Sequence, residues 1–143
     1  MTIIPNTQRI PFRIDDLHPD MRSPIRAMLE ATRAFKFTAV GLPSRFDAFE
    51  GYRSPVRQMH LLTVDKTTKA GPWKSAHQYG LAVDFAVRVM TPDAAREHWT
   101  WPERAPWEKP REIALSVGFD IPIKWDRGHV EHPIWQDLQI IHK

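Results

Sequence analysis

Leu81-Ala82-Val83-Asp84-Phe85-Ala86-Val87-Arg88-Val89 is the most regular stretch of the chain. Leu81, Val83, Phe85, Val87 and Val89 share one parity, and Ala82, Asp84, Ala86 and Arg88 share the other. A period of two marks a strand with one face on a core, so the large apolar set faces inward. Asp84 then stands on the opposite face among small residues, where a cleft can form.

The flanking segments alternate between helical and extended patterns. Met21, Ile25, Met28, Leu29 and Phe35 recur at helical steps, which predicts a helix over residues 20–35, with Ser23-Pro24 as its N-cap and first turn. A short strand is expected over 47–52. Ser54-Pro55 then opens a helix whose apolar side carries Val56, Met59, Leu62 and Val64. Residues 66–74, with Gly71-Pro72, read as a loop. Thr91-Pro92 starts a short helix, and 107–117 a longer one in which Pro110 marks the first turn and Gly118 caps the end. Residues 119–143 read as a strand-rich end, and 1–18 as an extended segment interrupted by Pro5 and Pro11. The sum is an α+β fold: one small domain over 1–143, with a central antiparallel sheet flanked by helices.

Composition bounds the function. The 143 residues are 42% hydrophobic and 26% charged, as in ordinary globular proteins. The 13 prolines are spread along the chain, which points to rigid turns rather than a disordered tail. A charge of +3 favours an anionic partner without choosing one. No run of about five like charges and no recognition motif supports nucleic-acid binding. Without cysteine there is neither a disulfide framework nor a thiolate site. No secretory signal and no apolar run of about 20 residues is seen, so a soluble protein made in the cytoplasm, without membrane insertion, is expected.

Three segments carry candidate chemistry. In Ser75-Ala76-His77-Gln78-Tyr79-Gly80-Leu81-Ala82-Val83-Asp84, an imidazole before the strand and a carboxylate on it can converge on a metal. The same two residues would serve equally as a hydrogen-bonded structural pair. In Trp125-Asp126-Arg127-Gly128-His129-Val130-Glu131-His132, strand alternation points His129 and Glu131 one way and His132 the other, which removes His132 as a ligand. His129 would complete a set with His77 and Asp84 that leaves a fourth position for water, the hallmark of a catalytic rather than a structural zinc site. Asp126 is placed to accept a proton from that water, with Glu131 as its rival; a plain surface turn is the alternative for Asp126-Arg127-Gly128. In Glu50-Gly51-Tyr52-Arg53-Ser54, the Arg53 guanidinium would stabilise an oxyanion or bind a carboxylate, unless it is a solvated surface charge. Trp73, Trp99, Trp101 and Trp107 are read mainly as packing residues.

Taken together, these segments resemble the zinc D,D-peptidase family of the vancomycin-resistance dipeptidases and carboxypeptidases, which also includes phage L-alanyl-D-glutamate endolysins. The resemblance rests on Gly51-Tyr52-Arg53-Ser54 with Gln58, on Ser75 through Asp84 in the pattern Ser-x-His-x-x-Gly-x-Ala-x-Asp, and on Trp125, Asp126 and His129. It implies a hedgehog/D,D-peptidase-like fold, with Zn2+ held by His77, Asp84 and His129 and Asp126 as the base. It further implies that Arg53 polarises the scissile carbonyl and that Ser75 helps to hold the substrate. The implied partner is bacterial peptidoglycan, met by a monomer after release from the cell or from a virion. Ile121-Pro122-Ile123-Lys124 and Val130 depart from the family pattern on the wall of the implied groove. An Asp rather than a Glu at 126 is the endolysin form and leans the substrate toward the stem peptide. Cleavage of a terminal D-Ala-D-Ala, or a non-catalytic virion or wall-binding module, are the alternatives.

Overall fold

The computed structural model describes residues 8–66, 68, 70, 71, 73–92, 97–123 and 126–141, and of 139–141 the backbone alone. The helix expected from Thr91-Pro92 and the Trp125 side chain fall outside these residues. Among the described residues the chain is α+β. It has a five-stranded antiparallel sheet, β1 (Lys36–Ala39), β2 (Leu42–Glu50), β3 (Ala82–Val89), β4 (His98–Thr100) and β5 (His129–Glu131). Four α-helices accompany it, α1 (Pro19–Ala34), α2 (Pro55–His60), α3 (Glu108–Ser116) and α4 (Ile134–Ile141).

The sheet is built around β3. One edge pairs with β2 from Ser44↔Val89 to Glu50↔Asp84. The other edge is shared, with β4 opposite Val87–Val89 and β5 opposite Ala82–Asp84. Val83, Phe85, Val87 and Val89 are buried as expected, and on the other face Ala82 and Ala86 are buried too, while Asp84 and Arg88 are only partly so. Phe85 and Val83 pack with Met21, Ile25, Met28 and Leu29 of α1. Phe46, Val87, Val89 and Trp107 form a second cluster.

α1 begins at Pro19, not at Ser23-Pro24. The His18 ring accepts a hydrogen bond from the Asp20 N–H, and Pro24 lies within the helix. An N-cap with proline at the first helical position satisfies the early turn sooner than the Ser-Pro pair could. α2 starts as expected, with the Ser54 side chain accepting from the Arg57 N–H, and continues as a π-helical turn over Leu61–Asp65. Its expected apolar face, however, points outward. Val56, Met59 and Val64 are exposed, and the buried positions are Gln58 and Leu61. The reason is the polar interior that this helix meets, since Gln58 is hydrogen-bonded to the buried Arg53. β1 and a longer β2 replace the single short strand expected before residue 55, and β4 is a further strand that was not expected. The C-terminal region carries one three-residue strand and then α4, rather than a run of strands. The His132 ring accepts from the Ile134 N–H and so caps that helix. In the N-terminal segment, Ile14–Asp16 forms a 3-10 turn and Leu17 is buried.

A bulge interrupts the β2–β3 ladder between Ala48, opposite Phe85, and Glu50, opposite Asp84. The additional residue is Phe49. A bulge reverses which face the following side chain occupies, and Glu50 thereby joins Asp84 on the non-core face. No helix among the described residues is long and apolar enough to cross a membrane.

Candidate metal centre

His77 lies on a 3-10 turn over Ala76–Tyr79 that leads into β3. Ser75 caps this turn, its Oγ accepting from the His77 N–H at 3.3 Å, and the Gln78 side chain accepts from the Ser75 N–H. Gly80 closes it with φ 69°, and an added Cβ there would meet the His18 nitrogen at 2.5 Å, so only glycine fits. The turn is short and buried. The His77 ring is therefore presented from a fixed backbone, with Nδ1 2.8 Å from the Gly51 carbonyl oxygen.

That bond leaves Nε2 facing Asp84 Oδ2 at 3.1 Å. His129 approaches the other carboxylate oxygen, with Nδ1 2.9 Å from Asp84 Oδ1. Its Nε2 is 2.8 Å from Glu131 Oε1. One ligand atom from each of His77, Asp84 and His129 lies within 4.8 Å of the others. The register explains the convergence: His129 is directly opposite Asp84 across the β3–β5 ladder, and Glu131 follows two residues later on the same face. His132 takes the other direction and serves as the cap of α4.

The charges follow from this packing. Burial pushes the Asp84 carboxyl up, but the charges and hydrogen bonds of His77 and His129 outweigh it and hold it well below its ordinary value. Burial lowers His129, yet its hydrogen bonds to Asp84 and Glu131 carry it up to about 10. Asp126 lines the same cavity and moves the opposite way from Asp84. Burial and then the negative charge of Asp84 raise its carboxyl, against the pull of His129, His77 and the Gly128 N–H.

The donor set suits a divalent metal. Two imidazoles and a carboxylate offer three ligand atoms, and each ring has its second nitrogen committed elsewhere, to Gly51 O and to Glu131. Such outer partners fix ring orientation and ligand basicity in metal sites.

Arg53 is buried and tied to its neighbours. Nε and Nη2 donate to the two oxygens of Glu50 at 3.2 and 3.0 Å, Nη1 to Gln58 Oε1 at 3.0 Å, and Nη2 also to Asp84 Oδ2 at 3.2 Å. Arg57 donates to the same Glu50 carboxylate from Nε at 2.9 Å. Burial pushes Glu50 up, but these two guanidiniums hold it below its ordinary value. Glu50 is the participant that sequence reasoning did not single out. Its role depends on the bulge, which leaves no pattern in the sequence.

A cavity of about 960 Å3 is lined by Glu50, Arg53, His77, Asp84 and His129, and by Ser75, Asp126 and Glu131. Trp73 and Trp101 line it and are about half exposed, at 53% and 54%, so they lie outside the core, although their rings meet Tyr79 and Phe49 edge to face. Trp107 is a packing residue, at 4%. Gly128 shapes the near edge. Its carbonyl accepts from the Phe85 N–H at 2.8 Å, and an added Cβ would lie 2.0 Å from the Phe85 carbonyl oxygen.

No family model matches the chain, and no curated protein matches it in sequence. Among solved structures, the chain is similar to the Serratia marcescens L-Ala D-Glu endopeptidase ChiX, with 21% identity and a TM-score of 0.53. The match covers 92% of this chain and 94% of the other. At that identity the likeness establishes the fold, an α+β arrangement shared over nearly the full length of both chains.

Proposed function

We propose that this chain is a zinc-dependent peptidase that hydrolyses the L-alanyl–D-glutamate bond in the stem peptide of bacterial peptidoglycan. The observation that carries the reading is the convergence of His77, Asp84 and His129 in one cavity beside a carboxyl, Asp126, whose proton affinity is raised. The Ser75–Asp84 motif and the fold shared with an L-Ala D-Glu endopeptidase support the same reading.

His77 would bind through Nε2, His129 through Nδ1 and Asp84 through a carboxylate oxygen, since those atoms face one another. Bound zinc supplies an acidified water and polarisation of the scissile carbonyl. Asp126 accepts the proton of the attacking water as its oxygen bonds to the carbonyl carbon. It then returns that proton to the departing amine as the C–N bond breaks. A carboxyl raised above its ordinary value is better matched to both transfers than a freely solvated aspartate. Glu131, committed to His129 Nε2, holds the ring in place. Arg53 is clamped by Glu50, Gln58 and Asp84, and its remaining Nη1 hydrogen is directed to the carbonyl oxygen. The Ser75 hydroxyl accepts from His77 N–H and donates its own proton to the substrate backbone.

The test is incubation of the purified protein with a defined stem peptide, followed by mass analysis of the fragments. Cleavage between L-Ala and D-Glu that stops with chelator and returns with zinc is expected. Loss of terminal D-Ala instead would transfer the reading to a carboxypeptidase. Wall binding without turnover, unchanged in Asp126→Asn, would make the chain a binding module.

A further inference from the structure

Among the described residues, Arg53, Arg57 and Lys74 are the arginines and lysine that line the cavity, and they are not equivalent. Arg53 and Arg57 both donate to Glu50. Lys74 is exposed and has no hydrogen bond or ion pair from its ammonium group among the described residues. Of the acids on the wall, Glu50 is held by the two guanidiniums, Asp84 by His77, His129 and Arg53, and Glu131 by His129, while Asp126 is the proposed base. Among the described residues Lys74 is paired with none of them.

An exposed lysine is ordinarily a solvated charge. Here its backbone is held on both sides. The Lys74 N–H donates to Gly71 O at 3.1 Å. Trp73, just before it, sits in the left-handed region at φ 62°, a conformation that is strained for a bulky residue. The Tyr79 hydroxyl donates to the Trp73 carbonyl at 3.1 Å, and the two rings meet edge to face at 5.7 Å. Ser75, just after it, is fixed by Gln78 and by the turn that carries His77. A strained, anchored backbone thus places Lys74, whose side chain has no partner among the described residues, in the cavity lining three residues from the candidate ligand His77.

The substrate chemistry supplies the matching anion. A glutamate acylated at its amine and continued through one carboxyl necessarily keeps the other free. In an L-Ala–D-Glu sequence, that free carboxylate belongs to the residue on the amine side of the bond to be cut. We propose that Lys74 is a specificity residue that pairs with this carboxylate and selects peptides in which it is ionised over those in which it is amidated; this rests on the endopeptidase reading above. Lysine acts as a compact point charge, and charge-assisted hydrogen bonds are the stronger class. Arg53 and Arg57 already share the buried Glu50 carboxylate, which offsets their charge toward a second anion.

The experiment compares two synthetic stem peptides, identical except that the free D-Glu carboxyl is ionised in one and converted to the amide in the other. The zinc-loaded wild type, Lys74→Met and Lys74→Arg are assayed on both. The wild type is expected to prefer the acid peptide. Lys74→Met should lower kcat/KM on the acid peptide roughly 10- to 100-fold while changing the amide peptide less than about twofold. Lys74→Arg should restore most of the preference. Equal losses on both peptides in Lys74→Met, or a wild type indifferent to amidation, would overturn the assignment while leaving the endopeptidase reading intact. If the wild type cleaves neither peptide, both fall together.

Discussion

Gly128→Ala tests whether the cavity edge is as rigid as the packing requires. The new Cβ would lie 2.0 Å from the Phe85 carbonyl oxygen and 3.1 Å from its carbon. An ordinary carbon–oxygen contact is about 3.3 Å, so the segment must withdraw by more than about 1 Å. Phe85 cannot yield, because its side chain is 1% exposed in the core and its strand is paired along both edges. The displacement falls instead on 126–129, breaking the 2.8 Å bond from Phe85 N–H to Gly128 O and carrying Asp126 and His129 away from Asp84. Overpacking of this kind costs about 1–3 kcal/mol of stability. A displacement near 1 Å at a reacting group costs on the order of 100-fold in rate. The expected variant is folded, with a melting temperature reduced by several degrees, weakened zinc affinity and kcat/KM on the stem peptide down about 100-fold. Circular dichroism, zinc competition titration and peptide cleavage measure the three effects. An alanine variant with wild-type zinc affinity and turnover would show that the loop has slack, and the claim of a rigid edge would fall.

Asp126→Asn is expected to abolish cleavage at saturating zinc with zinc affinity within about threefold of wild type, whereas Glu131→Ala should lose about 10- to 100-fold in zinc affinity and recover most turnover once zinc is saturating. The reverse assignment of losses in cleavage and titration assays would make Glu131 the base. Glu50→Gln leaves a buried and a partly buried guanidinium without their carboxylate, and loss of one partner from such a cluster costs about 3 kcal/mol or more, a fall in melting temperature of roughly 10 °C by calorimetry. The chelated protein should lose stability as pH rises from about 6.5 toward 10. His129 is raised from 6.5 to about 10, so its contribution is complete below the lower value and disappears through the upper one. Asp84, depressed in the folded state, contributes in the opposite sense, and its share is lost as pH falls below about 4. A flat melting temperature between pH 6.5 and 10 in chelator would count against this account of His129.

The central strand could be read because burial on one face imposes a period of two, and Leu81 to Val89 keep it without exception. α1 was equally legible from Met21, Ile25, Met28 and Leu29, although its start was not, since a histidine N-cap has no strong sequence signature. Other elements were hidden for physical reasons. The β1–β2 hairpin turns through Val40 and Gly41 at φ 48° and 77°, and a β-branched residue in that conformation carries none of the usual Asn-Gly or Asp-Gly marks. β2 contains Pro43 and a bulge, both of which disrupt alternation. In α2 the periodicity pointed to the wrong face, because periodicity assumes an apolar interior and this helix packs Gln58 against a buried arginine. The candidate ligands His77, Asp84 and His129 were visible in two segments with metal-ligand chemistry. The orientation of each ring was not, because Gly51 O and Glu131 are set by tertiary contacts.

The bulge at Phe49 links the fold to the chemistry. With unbroken alternation, the residue after Ala48 would oppose Asp84, placing a phenyl ring beside the cluster. The inserted residue brings Glu50 there instead. A carboxylate in that place would repel Asp84 if left bare, and it is not bare. It gathers Arg53 and Arg57, and Arg53 bridges across to Asp84 Oδ2 at 3.2 Å. The two acids are thereby joined through a shared cation, and both remain ionised in a buried setting. Asp126 moves the other way, because burial and the charge of Asp84 outweigh the pull of His129 and His77. The same arrangement thus gives the two aspartates different chemistry, with an ionised Asp84 suited to holding a metal and an Asp126 suited to carrying a proton.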